Sequence, residues 1–288
     1  MEDRVWLMVS WMIELVPATS KRCLYDTQTI LKVGLFAVLR DRPFCWACEP
    51  QNWPEHLRPP QLPNQSTLSR RWRSKEITAA LKDLHALCRR LLGSRGRYAK
   101  LDARPLVIGG AGKDPDARAG RAVGGMGRGY KLYAMVDAAG VVASFRIRPM
   151  NEAEPLVAQE LMQEAPGHLT RIVGDTIYDS VALHRTARKF RRRLYSPLRE
   201  NRVGKRQQPE RLRVLRVIRT KVGRKLLHWR DQIERDFGRM SNLGFGLKGL
   251  PPWVRRIHRV TAWVSGKILL YHAYLICHAM AKNKLDHA

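Results

Sequence analysis

The sequence predicts a mixed α/β protein: a mixed β-sheet flanked by helices, with an all-α region at the N-terminus. Three observations predict it. Before about residue 92, apolar residues recur at helical spacing; after the turn "GSRGR" the texture changes to β-forming segments; and those segments run in the order strand, hairpin, helix, strand, which builds a mixed sheet with a crossover helix. With 288 residues, 44% of them apolar, the chain is long enough for one or two domains with proper cores.

Residues 1–62 read as short helical pieces. Thr29 to Leu39 is apolar at helical spacing, and Pro43 to Pro63 is broken by six prolines. In "PNQSTLSRRWRS", Ser66 or Ser69 is suited to cap a short helix exposing Arg70, Arg71 and Arg73. Glu76 to Leu92 places Ile77, Leu81, Leu84, Cys88 and Leu91 on one stripe. Polar turn, basic helix and supporting helix suggest a helix-turn-helix-like module at 63–92; a plain helical bundle with a solvated basic face fits the same residues. Next come an extended segment in "YAKLDARPLVIG", a hairpin of "GYKLYAMVD" and "GVVASFRIRP" across Ala138-Ala139-Gly140, a crossover helix over Asn151–Glu164, and a strand in "HLTRIVGD". A helix (Ser180–Phe190), a short strand (Arg193–Leu198), a loop through "RENRVGKRQQPERLR" and helices over Arg224–Met240 and Trp253–Lys282 close the chain. The expected domains are 1–95, helical, and 97–284, which carries the sheet.

Lys and Arg number 53 against 25 Asp and Glu, a formal charge of +28. Such an excess fits a protein that tracks a polyanion, through counterion release and steered encounter, and nucleic acid is the leading partner class. The basic residues are spread along the chain rather than confined to a helix beside an anchor, which argues against membrane attachment. Arg185 to Lys225 holds seventeen of them with only Glu200 and Glu210 in opposition. The apolar stretch Val260–Met280 is interrupted by Lys267, His272 and His278 and reads as a packed helix. The start of the chain lacks a secretory pattern, and the five scattered cysteines fit reduced thiols, so a cytoplasmic, nucleoid-associated protein is expected. Cys45 and Cys48 form a CxxC without a second ligand pair and read as buried free thiols around Trp46.

In so basic a chain the few acids on strand ends or apolar helices are informative, because metal-assisted phosphodiester chemistry needs carboxylates gathered against a positive field. Asp102 lies within the first strand, Asp175 ends the fourth strand at the carboxyl edge where open sheets gather their chemistry, and Glu234 is mid-helix in "HWRDQIERDFG". Each has a plainer reading. Asp102 is otherwise a turn acid, Asp175 or Asp179 a helix cap, and Glu234 with Arg230 a surface i,i+4 pair. Trp229 and Trp253 read as packing residues, with base stacking as the other use.

The strings "LDARPLVIGG…GKDPDARAGRAVGG", "GYKLYAMVDAAG", "IVGDTIYDS" and "WRDQIERDFG", in this order over about Tyr98–Leu243, resemble the successive blocks of bacterial insertion-sequence transposases with a DDE catalytic domain. The resemblance implies a ribonuclease-H-like fold in which Asp102, Asp175 and Glu234 bind two divalent ions, normally Mg2+, with Mn2+ an alternative. It implies cleavage at the element's ends and attack of the freed 3′ hydroxyl on target DNA. The partners are then double-stranded DNA, as terminal inverted repeats and target, and a second copy of the chain in a homodimeric synaptic complex.

Arg230 matches the arginine of the family's tyrosine-arginine-glutamate signature, one turn before Glu234, and is expected on a phosphate near the metals. Arg70, Arg71, Arg73, Lys131, Arg188, Arg191, Arg192, Arg193, Lys205 and Arg206 are the other expected DNA contacts. The sequence departs from the pattern at Leu227 (tyrosine), Ser241 (lysine), Tyr133 (histidine) and Ala103-Arg104 (glycine-lysine). Those departures, and a start that leads almost directly into apolar sequence, keep a second reading open: a degenerate or truncated copy that binds DNA without chemistry. A basic RNA-binding protein explains the charge but not the ordered acidic blocks.

Overall fold

Among the described residues six strands form one sheet: β1 (Tyr98–Val107), β2 (Arg118–Ala122), β3 (Gly125–Asp137), β4 (Val142–Pro149), β5 (Arg171–Gly174) and β6 (Arg193–Tyr195). The computed structural model describes residues 1–17, 23–93, 96–109, 113–198 and 209–285. Lys205 and Arg206 lie outside them. The chain divides into two compact units, Ser94–Arg239 with the sheet and Met1–Gly93 together with Met240–Ala288.

In the sheet unit the strand order is β2-β3-β1-β5-β6, with β4 also paired to β3. The contacts β1–β3 and β3–β4 are antiparallel, whereas β1–β5 and β5–β6 are parallel. Helices lie on both faces of this mixed sheet, and the fold is ribonuclease-H-like. The expected hairpin is present as β3 and β4. β2 was not anticipated: "RAGRA" has no apolar face, and it becomes a strand by pairing with the start of β3 across the turn at Val123-Gly124.

Adjacent residues of β5 feed two cores, since side chains alternate across a strand. Ile172 joins Leu101, Tyr133 and Met135 against α6 (Glu154–Glu164) and α7 (Val181–Lys189) through Val157, Leu161 and Leu183. Val173 joins Tyr195 against α8 (Pro209–Ile218), through Val214, Leu215 and Ile218, and α9 (Lys221–Arg230), through Leu226, Leu227 and Trp229. α8 corrects the expected loop, which ran on to Arg213. Val214, Leu215 and Ile218 supply the apolar stripe that the more basic residues before them lack.

The single helix expected over Arg224–Met240 is also two. α9 ends at Asp231, whose N–H turns back to His228 O at 3.2 Å, and α10 (Gln232–Asn242) starts anew. Glu234 is therefore in a first turn, not mid-helix.

In the helical unit, α1 (Glu2–Glu14), α2 (Thr27–Leu39) and α5 (Lys75–Leu91) surround α11 (Ile257–Leu285), with the short α3 (Phe44–Ala47) and α4 (Gln65–Trp72) beside them. The expected division at residues 95–97 lies within a few residues of the boundary between Gly93 and Ser94, and the two readings part only at the far end of the sheet unit. The stretch after residue 240, assigned by sequence to the sheet-bearing part, clusters with the N-terminal helices because their apolar stripes need α11 as a common partner. α11 has the length and apolarity of a membrane span, yet most of its apolar stretch is buried within the protein.

The helix starts follow local chemistry. Asp26 caps α2 by accepting from Thr29 N at 2.6 Å and Ser74 caps α5 from Ile77 N at 3.2 Å. Asn64, not Ser66 or Ser69, caps α4, accepting from Thr67 N at 2.8 Å. Gly34 lets α2 meet the Trp72 ring, which a Cβ would approach to 2.0 Å. Cys45 is exposed and Cys48 half-buried, which corrects their reading as buried thiols. The Trp46 ring instead stacks on Phe36 at 5.7 Å.

Candidate active site

Parallel pairing of β1 with β5 sets Leu101 opposite Gly174. The residue after each is an aspartate, Asp102 within β1 and Asp175 just past β5, so continuing the register brings the two side by side at the carboxyl end of β5. Asp102 is partly buried, and its Oδ1 accepts from Ala103 N at 2.8 Å. Its carboxyl is pushed up to about 6, first by burial and further by the negative charges of Glu154 and Asp175, against the opposing effects of the Ala103 N–H and the Arg230 cation. Asp175 is more open. It accepts from Thr176 N and, at 3.0 Å, from Thr176 Oγ1, closing the short turn Thr176–Tyr178. Neither Asp175 nor Asp179 caps α7; Ser180 does, from Leu183 N at 3.2 Å. Asp179 is buried and gripped by Arg211, Nε to Oδ1 at 2.8 Å with a second contact from Nη2 to Oδ2.

Arg230 reaches this pair from the end of α9, with Nη1 3.2 Å from Asp175 Oδ1 and Nη2 2.7 Å from Asp231 Oδ1. Its neighbour Trp229 anchors the helix end, packing edge-on against Tyr98 at 6.0 Å and lying 4.9 Å below Lys100 Nζ. Lys100 is buried and paired with Asp236, and Arg104 donates to Phe237 O at 3.1 Å, so α9 and α10 are tied to β1 on both sides of Glu234.

Glu234 itself is exposed, and its side chain makes no hydrogen bond or ion pair with Asp102 or Asp175 among the described residues. No group of three acids, histidines or cysteines with metal-binding geometry occurs among them. Asp102 and Asp175 do fit a hard divalent cation: both are oxygen donors, and each raises the other's need for positive charge beyond what Arg230 supplies.

The residue that sequence reasoning missed is Glu154, in the first turn of α6. It accepts from Lys131 Nζ at 2.8 Å and from the buried Tyr178 hydroxyl at 3.0 Å. Burial, then Glu154 and Asp102, push the Tyr178 hydroxyl well up, so it stays a proton donor. Gly174 makes room for that ring, which a Cβ would approach to 2.7 Å. The only sequence signal for Glu154 was an acid at the start of the crossover helix, which any helix dipole favours.

The expected DNA contacts divide into two groups. Arg70 on α4, Arg73 at its C-terminal end, and Arg188, Arg191 and Arg193 around the end of α7 are exposed. Arg71 is instead paired with Glu76 at 3.2 Å and donates to Tyr25 O, and Lys131 is held by Glu154. Arg192 corrects its assignment most clearly. It is 6% exposed, and its guanidinium donates to Ala165, Pro166 and Leu169 carbonyls, which close the end of α6. The α9 face also presents Lys221, Arg224, Lys225 and His228, the first three from the basic stretch Arg185–Lys225.

The sheet is thus antiparallel through β2, β3, β4 and β1 and parallel from β1 through β5 to β6, with Asp102 on β1 and Asp175 just beyond β5. A family model described as the transposase DDE domain matches residues 100–270, more than half of the chain, and the chain belongs to that family. Membership places it in the transposase class of enzymes, whose partner is DNA and whose members generally use divalent metal ions. No curated protein and no solved structure matches the chain.

Proposed function

We propose that this transposase cleaves DNA at the ends of its element and joins the freed 3′ ends to target DNA, with Asp102 and Asp175 holding divalent cations. The observation that carries the reading is the register Leu101–Gly174, which sets the two aspartates side by side under the Arg230 guanidinium. Divalent ions bound there would activate the attacking oxygen and stabilise the leaving oxygen.

The chain's own residues divide the remaining tasks. Asp102, with its carboxyl near 6, gives up its proton as it takes on a cation. Lys131 and Tyr178 fix Glu154, which shapes the field at Asp102. Arg230 exchanges Asp175 for a phosphate, which its planar fork fits in bidentate fashion. Glu234 is the third carboxylate of this reading, one turn beyond Asp231, and it closes on the pair when DNA is bound. A homodimer holds the two inverted-repeat ends, and Arg70 and Arg73 at the end of α4 contact duplex DNA.

With Mg2+ or Mn2+ the purified full chain is expected to nick and join DNA that carries the terminal repeats. Asp175→Asn abolishes both and leaves DNA binding intact, and Glu234→Gln does the same if Glu234 joins the pair. Equal activity in Asp175→Asn would refute the assignment. The exposed position of Glu234 gives a second reading, a DNA-binding copy without chemistry. Intact binding by the wild type, with no cleavage under either metal, decides for that one.

A further inference from the structure

Around the start of β6 the sheet unit carries a cavity of about 250 Å³ lined by Arg188, Arg191, Arg192, Arg193 and Arg213. Leu194, Val214 and Val217 form the apolar part of its wall, and no carboxylate lines it among the described residues. Arg193 pairs with Arg171 at the beginning of β5, whereas Asp175 follows the end of that strand, so the hollow and the carboxylate pair lie toward opposite ends of β5.

Five guanidinium groups around one hollow repel one another, and low-dielectric walls focus their combined field into it. The acid that approaches His184 at 3.6 Å, Asp179, is already held by Arg211. Two further features single the site out. Arg192, buried, holds three carbonyls through its terminal nitrogens while its Nε has no hydrogen-bond partner among the described residues.

The turn that leads to it closes α7 with the N–H of Arg191 on Arg188 O at 2.9 Å and the N–H of Arg192 on Ala187 O at 2.7 Å. That is the helix-ending motif in which glycine normally occupies the left-handed position, yet Arg191 stands there with φ 56°. The chain keeps a strained arginine where glycine would close the helix without strain, and strain of this kind collects at binding sites.

We propose that this hollow is a phosphodiester-binding site which grips the DNA backbone at a point separate from the carboxylate pair, with Arg191 and Arg213 as principal contacts and Arg192 as the residue that positions the turn. Guanidinium forks match phosphate oxygens, and the apolar wall accommodates the attached sugar. The site rests on the reading of this chain as a DNA-acting enzyme, but not on its catalytic step.

The test measures binding of the full chain to duplex DNA from 50 to 300 mM salt by fluorescence anisotropy, for the wild type, Arg191→Gly, Arg213→Gln and the double variant. The double variant is expected to bind more weakly, with a log–log salt slope shallower by about 0.9 for one lost phosphate contact. Arg191→Gly keeps or raises the melting temperature, which a merely structural arginine would not do.

An unchanged affinity and slope in the double variant, or no DNA binding by the wild type, overturns the proposal. So does stabilisation of the wild type but not the double variant by inorganic phosphate at matched ionic strength without any change in the DNA slope, since the site would then take a free anion. Asp175→Asn run in parallel separates the two ideas: lost cleavage with an unchanged salt slope leaves this site standing whatever becomes of the catalytic reading.

Discussion

The carboxyl of Asp102 makes a quantitative prediction about stability. Its titration rises from 3.8 in the unfolded chain to about 6 in the folded protein, a difference of about 2 units, or at most about 3 kcal/mol. A raised carboxyl binds its proton more tightly in the folded state, so the native protein loses stability as pH climbs from about 4 to about 6 and carries the full penalty above that. Asp102→Asn removes the charge and keeps an oxygen for the Ala103 N–H, which donates to Oδ1 at 2.8 Å.

In chelator-treated buffer, urea unfolding of both proteins should coincide near pH 4 and diverge through pH 5 and 6. At pH 8 the variant should be more stable by up to about 3 kcal/mol, or roughly 6–12 °C in melting temperature. Mg2+ added at pH 8 should stabilise the wild type and not Asp102→Asn. A difference independent of pH, or a wild type more stable than the variant at pH 8, would refute the claim that burial and neighbouring carboxylates hold this proton.

His85 and His272 are buried with ring centroids 5.7 Å apart, and burial pushes His85 down to about 3 and His272 well below its ordinary value. Both stay neutral in the fold, so the stability they support is present above pH 6.5 and is lost as pH falls toward 3; unfolding of a His85→Gln variant should show a shallower acid decline. Arg192→Met leaves three carbonyls at the end of α6 without their buried donor and is expected to cost about 3 kcal/mol or more, read by urea denaturation. Gly34→Ala adds a good helix former yet should lower the melting temperature, by about 1–3 kcal/mol in stability, because its Cβ would meet the Trp72 ring.

Much of the sheet was legible as a linear pattern. Alternation in "YAKLDARPLV" and the turn at Ala138-Ala139-Gly140 announced β1, β3 and β4, because strand period and turn chemistry are local properties. β2 and α8 were not legible. The first has no apolar face of its own, and the second is read as loop while attention is on its charge rather than on Val214, Leu215 and Ile218. Arg192 was misread for the same reason: sequence displays a run of basic residues, but only packing shows which of them turns inward.

The sequence by itself determined that the chain is strongly basic, that Asp102 lies on a strand and Asp175 at the end of one, and that the order of blocks is that of a DDE transposase. Only the tertiary structure decided which acids meet. Parallel register sets Asp102 beside Asp175, the crossover helix brings in Glu154, and the break at Asp231 leaves Glu234 exposed. It also decided that α11, distant in sequence, belongs with α1, α2 and α5. The physical reason is common to both: strand pairing and apolar burial act between segments far apart along the chain, and no local pattern encodes the partner.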